Sequence, residues 1–184
     1  MKKVLLLTGV MSAIAFSAQA IEIKPYVGLD YNYSSIDVAK NSKNWGVEDD
    51  YNSASIVAGA KMHKNFGLEA FYQRSLNESR SFQDTTKVTS RISGYGLDAL
   101  GYLPLGCEQK VELIGGLGIG EYELKARTYA DSKKDYGIGY RMSAGAQYNI
   151  NDKIAIRGMF RHVIVEHSDL DIINEYSAGI RYSF

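Results

Sequence analysis

Ile138-Gly139-Tyr140-Arg141-Met142-Ser143-Ala144-Gly145-Ala146-Gln147-Tyr148-Asn149-Ile150 changes character at every residue. Apolar, aromatic and alanine side chains occupy every even position. Glycine, arginine, serine, glutamine and asparagine occupy the odd ones. A strand sends successive side chains to opposite faces, so this segment has one apolar face and one polar face. A helix would instead place Ile138, Arg141, Met142 and Gly145 on a single stripe, which separates nothing.

The same period extends outward on both sides. Ile23 to Tyr33, Ala54 to Met62, Leu68 to Tyr72, Tyr95 to Leu103, Val111 to Ile119, Ile154 to Ile164 and Tyr176 to Phe184 all alternate in this way. Eight strands of roughly ten residues are predicted, the length a tilted strand needs to cross a bilayer. Short turns are expected near His63–Phe66, Pro104–Lys110 and Asn151–Lys153. Longer polar loops are expected near Ser34–Ser53, Arg74–Lys87, Glu123–Tyr136 and Glu166–Asn174. Three short and four long connections suit an eight-stranded barrel with both ends on the periplasmic side. Pro25 and Pro104, the only prolines, fall at a strand start and a turn, where a sheet tolerates them.

Alternation alone also describes a soluble sandwich, which buries one face and wets the other. The polar face here, however, is rich in glycine: Gly28, Gly59, Gly67, Gly94, Gly96, Gly116, Gly118, Gly120, Gly137, Gly139, Gly145 and Gly179. A wetted face gains nothing from glycine, which weakens strands, whereas a narrow lumen needs small residues beside large ones. The charges on that face balance. Lys24, Arg141, Arg157, Arg161 and Arg181 stand against Glu22, Asp30, Glu69, Asp98 and Glu112, and a tight lumen would require them to pair. Tyr31, Tyr33, Tyr72, Tyr95, Tyr140, Tyr148, Tyr176, Tyr182 and Phe184 sit near the ends of apolar strand faces, as interfacial girdles would.

The ends of the chain point the same way. Lys2 and Lys3, the apolar run Val4 to Phe16 and Ala18-Gln19-Ala20 form a secretory signal, with cleavage expected after Ala20. Residues 1–20 are then the signal peptide and residues 21–184 a single barrel domain. With 21 basic and 21 acidic residues in all, losing Lys2 and Lys3 leaves a charge of about −2. No basic cluster in the sequence is long enough to propose a nucleic-acid partner. Cys107 is the only cysteine, so an intrachain disulfide and a multi-cysteine metal site are excluded. No cofactor is implied, and no later segment approaches a helical membrane span.

The octapeptide Ser177-Ala178-Gly179-Ile180-Arg181-Tyr182-Ser183-Phe184 resembles the C-terminal assembly signal of outer-membrane proteins, with Ser177, Gly179, Tyr182 and Phe184 matching position by position. The whole mature chain resembles the small Gram-negative outer-membrane barrel superfamily of OmpX, the OmpA transmembrane domain and the Opa-type surface antigens. The segment Ile154–Arg161, followed by an acidic loop and Tyr176–Phe184, looks especially like its last hairpin. The resemblance implies an all-β, eight-stranded antiparallel up-and-down transmembrane barrel. Outer-membrane lipid and the barrel-assembly machinery are its implied partners.

For function, the expectation is a surface protein or adhesin whose four external loops meet a host or cell-surface ligand. The external contact candidates are Trp45, Tyr51, Phe82 and Tyr129, with loop 1 (Ser34–Ser53) foremost. A purely structural role is the alternative. Loop 4 reads as acidic, with Glu166, Asp169, Asp171 and Glu175. An enzyme of the lipid A deacylase kind would use a His-x-Ser pair and a Glu on the outer wall. The elements available are His167-Ser168 and Glu175, and adjacent strand residues face opposite ways. His162 has no serine two residues on, and His63 falls in a turn. No catalytic site is therefore expected. A pore is disfavoured because paired charges would fill an eight-stranded lumen. Gly115–Gly120 lacks the following helix of a nucleotide loop and reads as strand.

Overall fold

The structure, a computed structural model, describes residues 23–38, 50–75, 78–82, 86–106, 108–127, 132–166 and 170–184. All regular structure among them is β: β1 (Lys24–Val38), β2 (Asp50–His63), β3 (Phe66–Ser75), β4 (Glu78–Phe82), β5 (Thr86–Leu105), β6 (Val111–Arg127), β7 (Ser132–Asn149), β8 (Ile154–Glu166) and β9 (Leu170–Ser183). Sequential neighbours other than β3 and β4 pair antiparallel, and β1 pairs β9. The β3–β5 pairing closes the ring. β4 continues along β5 beyond β3, and the register moves by one residue between Arg74↔Ser93 and Glu78↔Ser90. The two segments are thus successive parts of one barrel strand, and the barrel has eight strands in up-and-down order.

The registers also fix the tilt. From Tyr26, the paired residues run through Gly59, Glu69, Asp98, Gly118, Arg141, Val163 and Ile173 and return to β1 at Ile36. One circuit therefore climbs ten residues, the distance from 26 to 36. With eight strands, that stagger inclines each strand by about 40° to the barrel axis.

The faces divide as the alternation requires. Large apolar side chains on the outer face stand open, with Leu117 at 64 % and Ile56 at 61 % exposure. In water such a wall would be an aggregation surface, whereas in lipid it matches its solvent. Tyr31, Tyr33, Tyr72, Tyr95, Tyr140 and Tyr176 lie towards one end of that wall. Phe66, Tyr148, Tyr182 and Phe184 lie towards the other. Tyr182 and Phe184 meet edge to face at 5.4 Å between ring centres.

At the end with the short connections the turns are tight. Gly106 (φ 74°) and Gln109 (φ 50°) adopt left-handed backbone between β5 and β6. Between β7 and β8 the Asn151 side-chain oxygen accepts from the amides of Lys153 (2.9 Å) and Ile154 (2.7 Å), an Asx turn that fixes the reversal.

The opposite end departs from expectation. Strands of about ten residues were predicted, but β5 has 20, β7 has 18 and β6 has 17. The segments expected as loops at Arg74–Lys87 and Glu123–Tyr136 are largely hairpin. β6 pairs β7 as far as Arg127↔Ser132, and β4 pairs β5 as far as Phe82↔Thr86. The reason is physical. Beyond the hydrocarbon both faces of a strand meet water, so the apolar–polar alternation fades, while backbone pairing continues unchanged.

Candidate functional site

Two regions could carry function: the lumen and the end that carries the long hairpins. In the lumen, a chain of six charges follows the barrel. The Arg161 guanidinium lies 2.9 Å from Glu175 and 3.5 Å from Asp30. Asp30 is 2.6 Å from Arg181, whose Nε is 3.6 Å from Glu69, and Glu69 is 2.7 Å from Arg157. All six side chains are buried. Tyr26 donates to Glu69 at 2.8 Å, and Gln73 donates to Glu175. Nearer the short-turn end Lys61 pairs with Glu112, and Gln147 donates to the same carboxylate at 3.2 Å. Arg141 and Asp98 pair at 3.5 Å. Arg141 rests on the Phe71 ring, 3.6 Å from its centre.

The lumen glycines explain how these groups meet. Asp98, Gly118 and Arg141 stand on three successive strands in direct register, so the carboxylate reaches over the glycine to the guanidinium. A methyl at Gly118 would overlap Asp98 Oδ1. One at Gly179, which pairs with Asp30, would overlap Asp30 Oδ1. Tyr26 reaches Glu69 across Gly59 by the same geometry.

Apolar groups seal the lumen on both sides of the charges. Tyr51, Val57, Phe71, Ile92, Tyr122, Val163, Val165 and Ile173 pack together towards the long-hairpin end. Leu100, Tyr102, Ile114 and Met159 form a second cluster lower down. The cavity beside Ser34, Gln73, Tyr122 and Glu175 has room for about one water molecule. Among the described residues this interior is a plug.

Of the residues singled out in the sequence, Asp30, Glu69, Asp98, Glu112, Arg141, Arg157, Arg161 and Arg181 all lie buried in the lumen. Lys24 is exposed at its rim and engages other groups there. Two members were missed. Lys61 alternates with Gly59 on the polar face. Glu175, read as a loop acid, is a lumen residue at 3 % exposure because β9 begins at Leu170. Its parity with Ser177 and Arg181 was the available signal. Tyr51 needs correction as an external contact. β2 begins at Asp50, so Tyr51 shares the inward face with Ser53 and Val57, at 1 % exposure. Phe82 ends β4, paired with Thr86. Ala20, Trp45, Cys107, Tyr129, His167 and Ser168 lie outside the described residues. In the C-terminal octapeptide, Ser177 is buried, Gly179 half-buried, and Tyr182 and Phe184 stand outside.

On the outer wall, His162 Nδ1 lies 2.8 Å from Asn174 Oδ1. Ser35 is in register with Asn174 and not with His162, and Glu175 faces the other way, into the lumen. Among the described residues no hydroxyl is positioned as a nucleophile beside this imidazole.

At the long-hairpin end, pairing does something the linear sequence conceals. Arg91, Lys125 and Lys134 stand side by side in register on β5, β6 and β7. Arg80, Lys87, Arg127 and Lys133 belong to the same four-segment extension. Tyr136 hydrogen-bonds Glu123, whose carboxylate raises its phenol above the ordinary range.

The chain matches the outer membrane protein beta-barrel domain over residues 4–184. No curated protein matches it. Among solved structures, Neisserial surface protein A is similar over 88 % of this chain and 97 % of its own, with TM-score 0.65 and 14 % identity. Ail, the attachment invasion locus protein of Yersinia pestis, is similar over 90 % of this chain and 100 % of its own, with TM-score 0.59 and 15 % identity. OprG of Pseudomonas aeruginosa is similar over 88 % and 96 %, with TM-score 0.57 and 10 % identity. At these identities the structures speak for the fold. The protein belongs to the outer-membrane β-barrel domain family and resides in the Gram-negative outer membrane.

Proposed function

We propose that the protein is a surface-attachment protein whose working part is the extracellular extension of β4, β5, β6 and β7, and that it takes a sulfated or otherwise polyanionic glycan. The observation that carries this reading is the register Arg91↔Lys125↔Lys134, which gathers cations from distant parts of the sequence onto neighbouring strands. In the extension, basic residues outnumber acidic ones. Over residues 78–91 and 123–136, Arg80, Lys87, Arg91, Lys125, Arg127, Lys133 and Lys134 stand against Glu78, Asp84, Glu123, Asp131 and Asp135. A rigid strand platform loses little entropy on binding, and a row of cations favours a linear anion. The plugged lumen supports the assignment of function to the exterior.

Ail was solved with the heparin analogue sucrose octasulfate, in a structure similar to this chain with TM-score 0.57 and 13 % identity. The same reading has the chain exported by cleavage after Ala20 and delivered to the barrel-assembly machinery through Ser177, Gly179, Tyr182 and Phe184. Trp45 and Tyr129 are further contact candidates. No catalytic role is assigned.

The test is binding of intact expressing cells to immobilised heparin. Combined Arg91→Gln, Lys125→Gln and Lys134→Gln substitutions should lower binding at least about tenfold and flatten its dependence on salt. Unchanged binding by correctly assembled triple variant would overturn the reading.

A further inference from the structure

Strand parity sorts the basic residues of the extension by face. Tyr95, Glu121 and Tyr136 are exposed on the outside of the barrel, while Gly94, Tyr122 and Gly137 beside them are buried. Steps of two residues along a strand keep the face. Arg91 and Lys87 therefore share the face of Tyr95 on β5, Lys125 and Arg127 that of Glu121 on β6, and Lys134 that of Tyr136 on β7. The registers through these segments are unbroken, so no bulge reverses the order. Arg74, in register with Ser93, joins them from the end of β3 and is exposed. Among the described residues, six cations thus stand on the outward face of this part of the sheet.

The inward face of the same strands is balanced. Glu78 pairs with Ser90 and Arg80 with Val88, while Lys133 pairs with Ala126 and Asp135 with Leu124. All four are in step with Ile92 and Tyr122, which are buried in the lumen. Two bases there meet two acids. On the outward face the acids are Glu121 and Glu123, and both stand in the rows below Lys125. Tyr95 hydrogen-bonds Glu121, and Tyr136 and Ser93 (3.4 Å) hydrogen-bond Glu123. Asp84 and Asp131 lie outside the described residues. Neighbouring strands are about 5 Å apart, so Arg91, Lys125 and Lys134 fall within about 10 Å, and Arg127 stands about 7 Å beyond Lys125. Cations at this density repel one another until an anion of matching density neutralises them. A glycan with several sulfates per disaccharide can do so. One with a single carboxylate per disaccharide is too sparse.

We propose that the outward face of the extension, and not its inward face, is the binding surface, and that it selects a densely sulfated glycan lying across β5, β6 and β7. Lys87 and Arg127 extend the row of Arg91, Lys125 and Lys134, whereas Arg80 and Lys133 stand behind the sheet and take no part. This selectivity rests on the glycan-binding reading of the extension and adds to it the face and the charge density of the ligand.

The experiment uses the full mature barrel in phosphatidylcholine nanodiscs, with heparin and hyaluronan as probes. Heparin should bind at least about tenfold more tightly than hyaluronan, and equal affinities would overturn the selectivity. Lysine acetylation read by mass spectrometry then tests the face in the wild-type barrel, with no variant needed. Bound heparin should protect Lys134 and Lys87 strongly and Lys133 little, although Lys133 and Lys134 are adjacent in sequence. Equal protection of that adjacent pair would overturn the face assignment. Lys87→Gln with Arg127→Gln should weaken heparin binding by roughly five- to tenfold. Arg80→Gln with Lys133→Gln removes as much charge and should cost at most about twofold, the long-range share of any lost cation. Equal losses would mean that only net charge is read, which also contradicts the proposal. Loss of heparin binding on adding lipopolysaccharide to the nanodiscs would assign the face to the leaflet's own anionic sugars instead. A wild-type barrel that binds neither probe would sink the glycan-binding reading itself, whereas the other adverse outcomes leave that reading standing.

Discussion

At the scale of single residues, the lumen is held by reach and by the absence of side chains in the way. Glu69 receives Arg157, Tyr26 and the longer approach of Arg181. Glu69→Ala would leave buried guanidinium without its counter-charge and is expected to cost about 3–5 kcal/mol. Urea unfolding of the barrel in lipid vesicles measures it, and adding Arg157→Met should restore much of the loss because the unpaired charge is gone. Glycine offers a matched comparison. Gly118→Ala would push into Asp98 and disturb its contact with Arg141, a destabilisation of about 1–3 kcal/mol. Gly158→Ala, on the lipid-facing wall, meets nothing closer than 4.0 Å and should be neutral or slightly stabilising in the same assay. These roles were half legible beforehand. Parity identified the inward glycines and most of the charges, but which acid meets which base depends on the stagger between strands. Glu175 was misread because its acidic neighbours in sequence suggested a loop.

At the scale of elements, the long strands serve two solvents. Their lower parts alternate because one face meets lipid and the other the lumen. Their upper parts keep the backbone ladder while the side chains lose that contrast. Sequence reading therefore ended β6 several residues early, began β7 several residues late and took their hairpin for a loop. The lumen contacts lie below the β4–β5 extension. Replacing residues 78–90 with a short turn should accordingly leave a barrel that still shifts mobility on boiling. The same variant loses Arg80 and Lys87 but keeps the row of Arg91, Lys125 and Lys134, so its heparin binding should weaken and not vanish. A variant that fails to assemble would show that this hairpin is needed for the barrel itself.

At the scale of the whole molecule, closure turns an alternating sequence into a plugged cylinder. Two apolar clusters and a continuous chain of charges occupy the interior, so purified protein in planar bilayers should show no steady single-channel conductance. A stable open level would contradict the plug. The strand period, the two faces and the number of barrel strands were all legible in the linear order of residues. These depend on local geometry, in which the side of the sheet changes with every residue. The folded barrel was needed to establish the ten-residue stagger, the partners of each lumen charge and the inward burial of Tyr51. It also decided the row formed by Arg91, Lys125 and Lys134 and the polar pair of His162 with Asn174. Each of those joins residues on different strands, and the offset between strands is set by ring closure, which no single segment encodes.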